Sequence, residues 1–134
     1  MKAQSTNWLL TFVIVGEFNP IRLANELEIP ESTFGIKGEL IREGSEKKHK
    51  DTFWEISVKG HSLMAYDGMD QLLVKLWPKL PILKAHIEQH SLLSKLHIAI
   101  NVFNNIPPAA GVPPQMINLL HQLNGSVTYD LYMN

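Results

Sequence analysis

Trp8-Leu9-Leu10-Thr11-Phe12-Val13-Ile14-Val15 decides the fold class of this chain. The run is β-branched and aromatic with almost no polar alternation, the character of a strand flanked on both edges or covered on both faces. It therefore belongs in the middle of a sheet. Lys2 ahead of it gives the segment a superficial likeness to a targeting signal. The run is too short for a bilayer crossing of ~20 residues, and Glu17 follows without a small-x-small cleavage pattern.

On the C-terminal side, Asn19 can accept the free amides of a first helical turn and Pro20 suits the first helical position. The predicted helix buries Ile21, Ala24 and Leu27, with Leu23 alongside, and Pro30 stops it. Residues 36–42 predict a short strand, and residues 43–51 a charged, glycine-containing connection, read as mobile. In residues 53–59, Trp54, Ile56 and Val58 alternate with Phe53, Glu55 and Ser57, giving one apolar and one mostly polar face, and Gly60 closes the strand.

From Met69 the spacing becomes helical, with Leu72, Leu73, Leu76 and Trp77 on one face, until Pro78 and Pro81 force a kink or a restart. The second piece carries Ile82, Leu83 and Ile87 to about His90. Leu96, Ile98, Ile100 and Val102 then alternate with His97, Ala99 and Asn101 as another half-buried strand. Residues 104–114 hold half of the eight prolines and read as an extended loop of polyproline character. Met116, Leu119, Leu120 and Leu123 mark an amphipathic helix, for which Gly125 is the expected left-handed stop. In the last strand Val127, Tyr129, Leu131 and Met133 are expected inward, and Thr128, Asp130 and Tyr132 outward.

This order predicts one α+β domain over residues 1–134. Its form is a two-layer sandwich with a ferredoxin-like β-α-β-β-α-β core and a C-terminal α-β extension, its helices on one face of a mainly antiparallel sheet. A chain of 134 residues buries roughly two-thirds of its unfolded surface. With no cysteine, disulfides, thiolate metal sites and thiol nucleophiles are excluded, and the composition fits a reducing cytoplasm.

Lys+Arg 12 against Asp+Glu 13 leaves a formal charge of -1, which supplies no field to draw nucleic acid or an anionic membrane. Residues 1–60 hold 8 basic and 9 acidic side chains, leaving 4 of each for residues 61–134. That sparsely charged half argues for self-association, as in a homodimer, or for a protein partner.

Chemistry-bearing residues fall into few groups. Glu55, Ser57, His97, Asn101, Thr128, Asp130 and Tyr132 lie on the non-core side of three strands, and form a polar shelf if those strands are neighbours. An antiparallel sheet with one wet face explains the same pattern without any site. His86 and His90, four apart on a helix, face the same way, but zinc needs a third or fourth ligand. Lys47-Lys48-His49-Lys50 is bracketed by Glu43, Glu46 and Asp51, a solvated loop more than a phosphate grip. Lys37-Gly38-Glu39 reads as a turn needing glycine's positive φ, or as the border of a ligand groove beside Trp54. Trp54 itself reads as core, its indole N–H seeking one acceptor. No Walker loop, dinucleotide fingerprint or Gly-x-Ser-x-Gly elbow occurs, so no cofactor is expected.

The apolar opening strand, Asn19-Pro20, Lys37-Gly38-Glu39, Trp54-Glu55-Ile56-Ser57, the Leu-rich middle helix and the closing Asp130-x-Tyr132 together resemble the family called domain of unknown function 4279. Pro78, Pro81 and the double-proline loop depart from its pattern. The resemblance implies a small, stand-alone bacterial cytoplasmic protein and brings no activity with it. Two functional expectations follow. The first is a non-catalytic interaction domain that uses the charge-poor C-terminal half or the 106–114 loop. The alternative is a small-molecule binder or enzyme on the polar sheet face, which requires His97, Asp130 and Glu55 to converge.

Overall fold

In the computed structural model, which describes residues 6–61, 65–103 and 111–133, the opening apolar run becomes β1 (Asn7–Val15) at the centre of a mixed five-stranded sheet. Its partners are β2 (Thr33–Gly35), β3 (Phe53–Gly60), β4 (Leu93–Val102) and β5 (Ser126–Met133), in the order β2-β3-β1-β4-β5. β1 runs antiparallel to β3 and to β4, β2 antiparallel to β3, and β5 parallel to β4. The helices are α1 (Pro20–Leu27), α2 (Tyr66–Leu76), α3 (Leu80–His90) and α4 (Pro114–Gln122), with a 3-10 turn at Trp77–Lys79 between α2 and α3. The chain is thus α+β, as the element order predicts.

Register explains why one side of the sheet is dry. Phe12 lies between Ile56 and Leu96, and Leu10 between Val58 and Ile98. Leu10, Phe12, Ile14, Trp54, Ile56, Leu96 and Ile98 are buried on this side, in one cluster with Leu23 and Leu27 of α1, Leu72 and Leu76 of α2, Leu83 of α3 and Met116 and Leu119 of α4. Each such side chain contributes ~1.5–3 kcal/mol by leaving water. Gly68 is a packing requirement here, since a Cβ would meet ring carbons of Trp8 at 2.5 and 2.6 Å.

Several expectations are corrected. The strand predicted over 36–42 is replaced by β2 at Thr33–Gly35. Gly38 turns the chain with φ 87, and residues 39–49 fold back locally, with the Ile41 N–H donating to the Lys47 carbonyl at 3.0 Å and the His49 N–H to Glu39 at 2.9 Å. Leu40 spends its extended conformation in an isolated bridge to Lys48. On α1, Ile21 is exposed while Leu23 and Leu27 are buried, and the helix ends at left-handed Glu28 before Pro30 is reached. The kink expected at Pro78 and Pro81 is the 3-10 turn, whose tighter winding carries Trp77 out of the α2 stripe into solvent. After α4 the left-handed residue is Asn124, not Gly125. Gly125 instead allows close approach, because a Cβ there would lie 2.8 Å from Ser94 Oγ.

The largest correction concerns β5. Its register with Leu96, Ile98, Ile100 and Val102 keeps Val127, Tyr129, Leu131 and Met133 on the helix side, as alternation predicts. They are not inward: Tyr129 is 50%, Leu131 62% and Met133 66% exposed, and only Val127 is partly covered. Among the described residues β5 pairs with β4 alone, and α4, packed on β4, leaves Leu131 and Met133 exposed. Of the 104–114 loop, residues 104–110 lie outside the described residues, and Pro114 already begins α4.

Candidate functional site

The polar shelf expected from alternation assembles on the open face of the sheet, opposite the helices. Thr11 of β1 is opposite Ser57 on one side and His97 on the other, and His97 is opposite Thr128. One row of polar side chains therefore crosses β3, β1, β4 and β5. The Thr11 and Ser57 hydroxyls are 2.9 Å apart. His97 leans over β5, with Nδ1 2.5 Å from Thr128 Oγ1 and Nε2 3.1 Å from Asp130 Oδ2. Hydroxyl, imidazole and carboxylate are the components of a nucleophilic triad. Here both ring nitrogens are occupied by β5 side chains, so the trio works first as a clip fastening a parallel edge strand to its neighbour.

Glu55 does not join it. The residue is opposite Val13 on β1 and Thr33 on β2, which sets it two strands across and two residues along from His97. It is half-buried, and desolvation pushes its carboxyl above the usual carboxylate range. Further along the face Tyr132 is opposite Asn101, whose Nδ2 donates to Asn7 Oδ1 at 2.9 Å. A shallow cavity of about 470 Å³ opens at this end, walled by Asn7, Leu9, Lys59, His61 and Asn101 among others.

Lys37 and Glu39 flank Gly38 in the expected turn; the Lys37 N–H donates to Thr52 Oγ1 at 3.0 Å and both side chains are exposed. Trp54, expected beside them, is not at the surface. Trp54 is fully buried, edge-on to Phe12 with ring centroids 6.5 Å apart, and its indole Nε1 has no hydrogen-bond partner. A groove of about 490 Å³ does lie near the end of α1, but its walls are residues such as Ile29, Pro30 and Phe34.

His86 is buried on α3 and its Nε2 is hydrogen-bonded to Glu26 of α1, which Arg22 approaches to 3.6 Å. The hydrogen bond with His86 is the main cause that holds the Glu26 carboxyl below its usual range. His90 is exposed, its ring centroid 6.2 Å from that of His86. Among the described residues no group of three or more His, Cys, Asp or Glu is arranged to hold a metal ion. The cavity here measures about 560 Å³ and has Arg22, Glu26, His86 and Gln89 among its walls. Sequence reasoning named His86 but missed Arg22 and Glu26, although their i,i+4 spacing on a predicted helix was a legible signal.

With this geometry in view the comparison with known families is short. The family described as domain of unknown function (DUF4279) matches residues 5–134. The chain belongs to that family. No curated protein and no solved structure matches it. Membership in DUF4279 thus supplies no activity, and a function has to be argued from the surface itself. Among the described residues no helix is long and apolar enough to cross a membrane.

Proposed function

We propose that this DUF4279 protein is a non-catalytic interaction domain whose binding edge is β5. The observation that carries the reading is the contrast between the two sheet edges. β2 closes one side with three residues, whereas β5 runs for eight. Native edge strands are blunted by shortness, Lys, Pro or a bulge. β5 contains no Lys, Arg or Pro, and it pairs with β4 without interruption from Ser126 to Met133. Such an edge, with Leu131 and Met133 bare beside it, suits β-strand addition, in which main-chain hydrogen bonds give affinity and alternate side chains give specificity. The His97 contacts to Thr128 and Asp130 favour the same reading, because they hold the edge in place before a partner arrives. A small-molecule site on the polar face has less support, since Glu55 stands two strands from His97.

We read the β2-β3-β1-β4 part as a ferredoxin-like core with β5 appended, a reading supported by the antiparallel pairing of β1 with both neighbours. The cysteine-free composition supports a cytoplasmic setting. The test places a photoactivatable phenylalanine at Leu131 or at the exposed control Val74 of α2, in the native host. Adducts at position 131 and none at 74 are expected. Equal labelling at both positions, or none at 131, overturns the proposal.

A further inference from the structure

We infer that the strand added to β5 is β5 of a second copy, paired antiparallel about a twofold axis through Tyr129. This rests on the reading of β5 as the binding edge and names its occupant. Two antiparallel copies that keep matching faces must centre on a residue, because side chains alternate with period two. For the eight-residue β5, only the registers centred on Tyr129 and on Asp130 align seven residues of each copy within the strand. Centring on Asp130 sets two carboxylates directly opposite, which is destabilising. Centring on Tyr129 sets Asp130 opposite the partner's Thr128, Val127 opposite the partner's Leu131, and the two Tyr129 rings side by side.

The charges favour the register centred on Tyr129. A threonine hydroxyl has one donor and two acceptor positions, and His97 uses one of them at Thr128. The partner's Asp130, which already has its own His97, comes opposite this hydroxyl and not opposite a second carboxylate. Each of the two carboxylates then lies between an imidazole of its own chain and a hydroxyl of the other. On the helix side, the same register brings Val127 and Tyr129 against the partner's Leu131 and Tyr129, covering part of the bare strip of each copy. The interface is isologous and closes on itself, so the contact ends at a dimer instead of a filament. The β2 edge offers only three residues for any comparable pairing.

Light scattering of the full chain after size exclusion is expected to give twice the 15.2 kDa chain mass. Leu131→Lys and Leu131→Glu, at a position already exposed, are expected to keep the far-UV circular dichroism of the wild-type chain and to weaken the dimer by ~10-fold or more, the scale of an interface anchor. Because the chain has no cysteine, single substitutions report register directly. Mild oxidation should link Tyr129→Cys into disulfide dimers faster than Asp130→Cys. A monomer at all concentrations, a dimer indifferent to both edge variants, or faster linkage through Asp130→Cys overturns the inference. A monomeric protein whose photo-adduct at 131 is a different polypeptide refutes the second copy and leaves β5 as the edge. No adduct at 131 removes both.

Discussion

Trp54 and Glu55, adjacent on β3, show how one step along a strand changes the physical problem. Trp54 puts the bulk of an indole into a fully buried slot against Phe12, with an N–H that finds no acceptor. An unsatisfied buried donor costs ~1–3 kcal/mol, less than the ring returns by filling the core. Trp54→Ala is expected to lower stability by ~3–5 kcal/mol in urea unfolding, and Trp54→Phe by clearly less, because it removes the orphan donor together with part of the volume. Glu55 faces the other way and is only half-desolvated. Its folded-state pKa is raised, so the folded chain holds the proton more tightly than the unfolded one. Stability is therefore greatest below the ordinary glutamate value and declines as pH rises through the window up to the raised value. Glu55→Gln is expected to flatten that slope and to match or exceed wild type at neutral pH. The gain is small because half the group is still solvated. Melting curves between pH 4 and pH 8 check the sign, and a slope unchanged in the variant refutes it.

At the level of elements, local chemistry accounts for where helices begin and end. Asn19 Oδ1 accepts the Ile21 and Arg22 amides at 3.1 and 3.2 Å, satisfying two of the free donors of α1. Asn19→Ala should cost ~1 kcal/mol in thermal or chemical unfolding. α1 and α3 end in left-handed residues that are not glycine, Glu28 with φ 53 and Ser91 with φ 52. Both are exposed. Ser91→Gly relieves the Cβ strain of that conformation and is expected to raise stability by ~1 kcal/mol; a lower melting temperature would contradict this account. The elements the sequence misplaced have physical reasons too. The 36–42 segment has strand-forming residues, yet Gly38 bends it out of line, so the sheet recruits Thr33–Gly35 instead. Trp77 follows a helical stripe on paper and leaves it where Pro78 tightens the winding.

For the molecule as a whole, the decisive feature is a parallel strand appended to an edge. β5 is held by β4 pairing and by the His97 clip. His97→Ala is expected to speed hydrogen exchange across residues 126–133 by ~10-fold while leaving β1 and β3 unchanged; this asymmetry between edge and centre separates loss of the clip from general destabilisation. Much of this architecture was legible in the chain. The centre of the sheet, the restart at Pro78 and Pro81, and the side of its own strand on which each of Trp54, Glu55, His97 and Asp130 lies follow from short-range spacing. That is because period two or period 3.6 is imposed by backbone geometry within a few residues. Tertiary structure alone decided that His97 meets Thr128 and Asp130 while Glu55 stays two strands away, that His86 reaches Glu26 on another helix, and that Leu131 and Met133 are bare. Alternation records a residue's face but not its neighbour, and strand order arises from the summed fit of segments far apart in sequence.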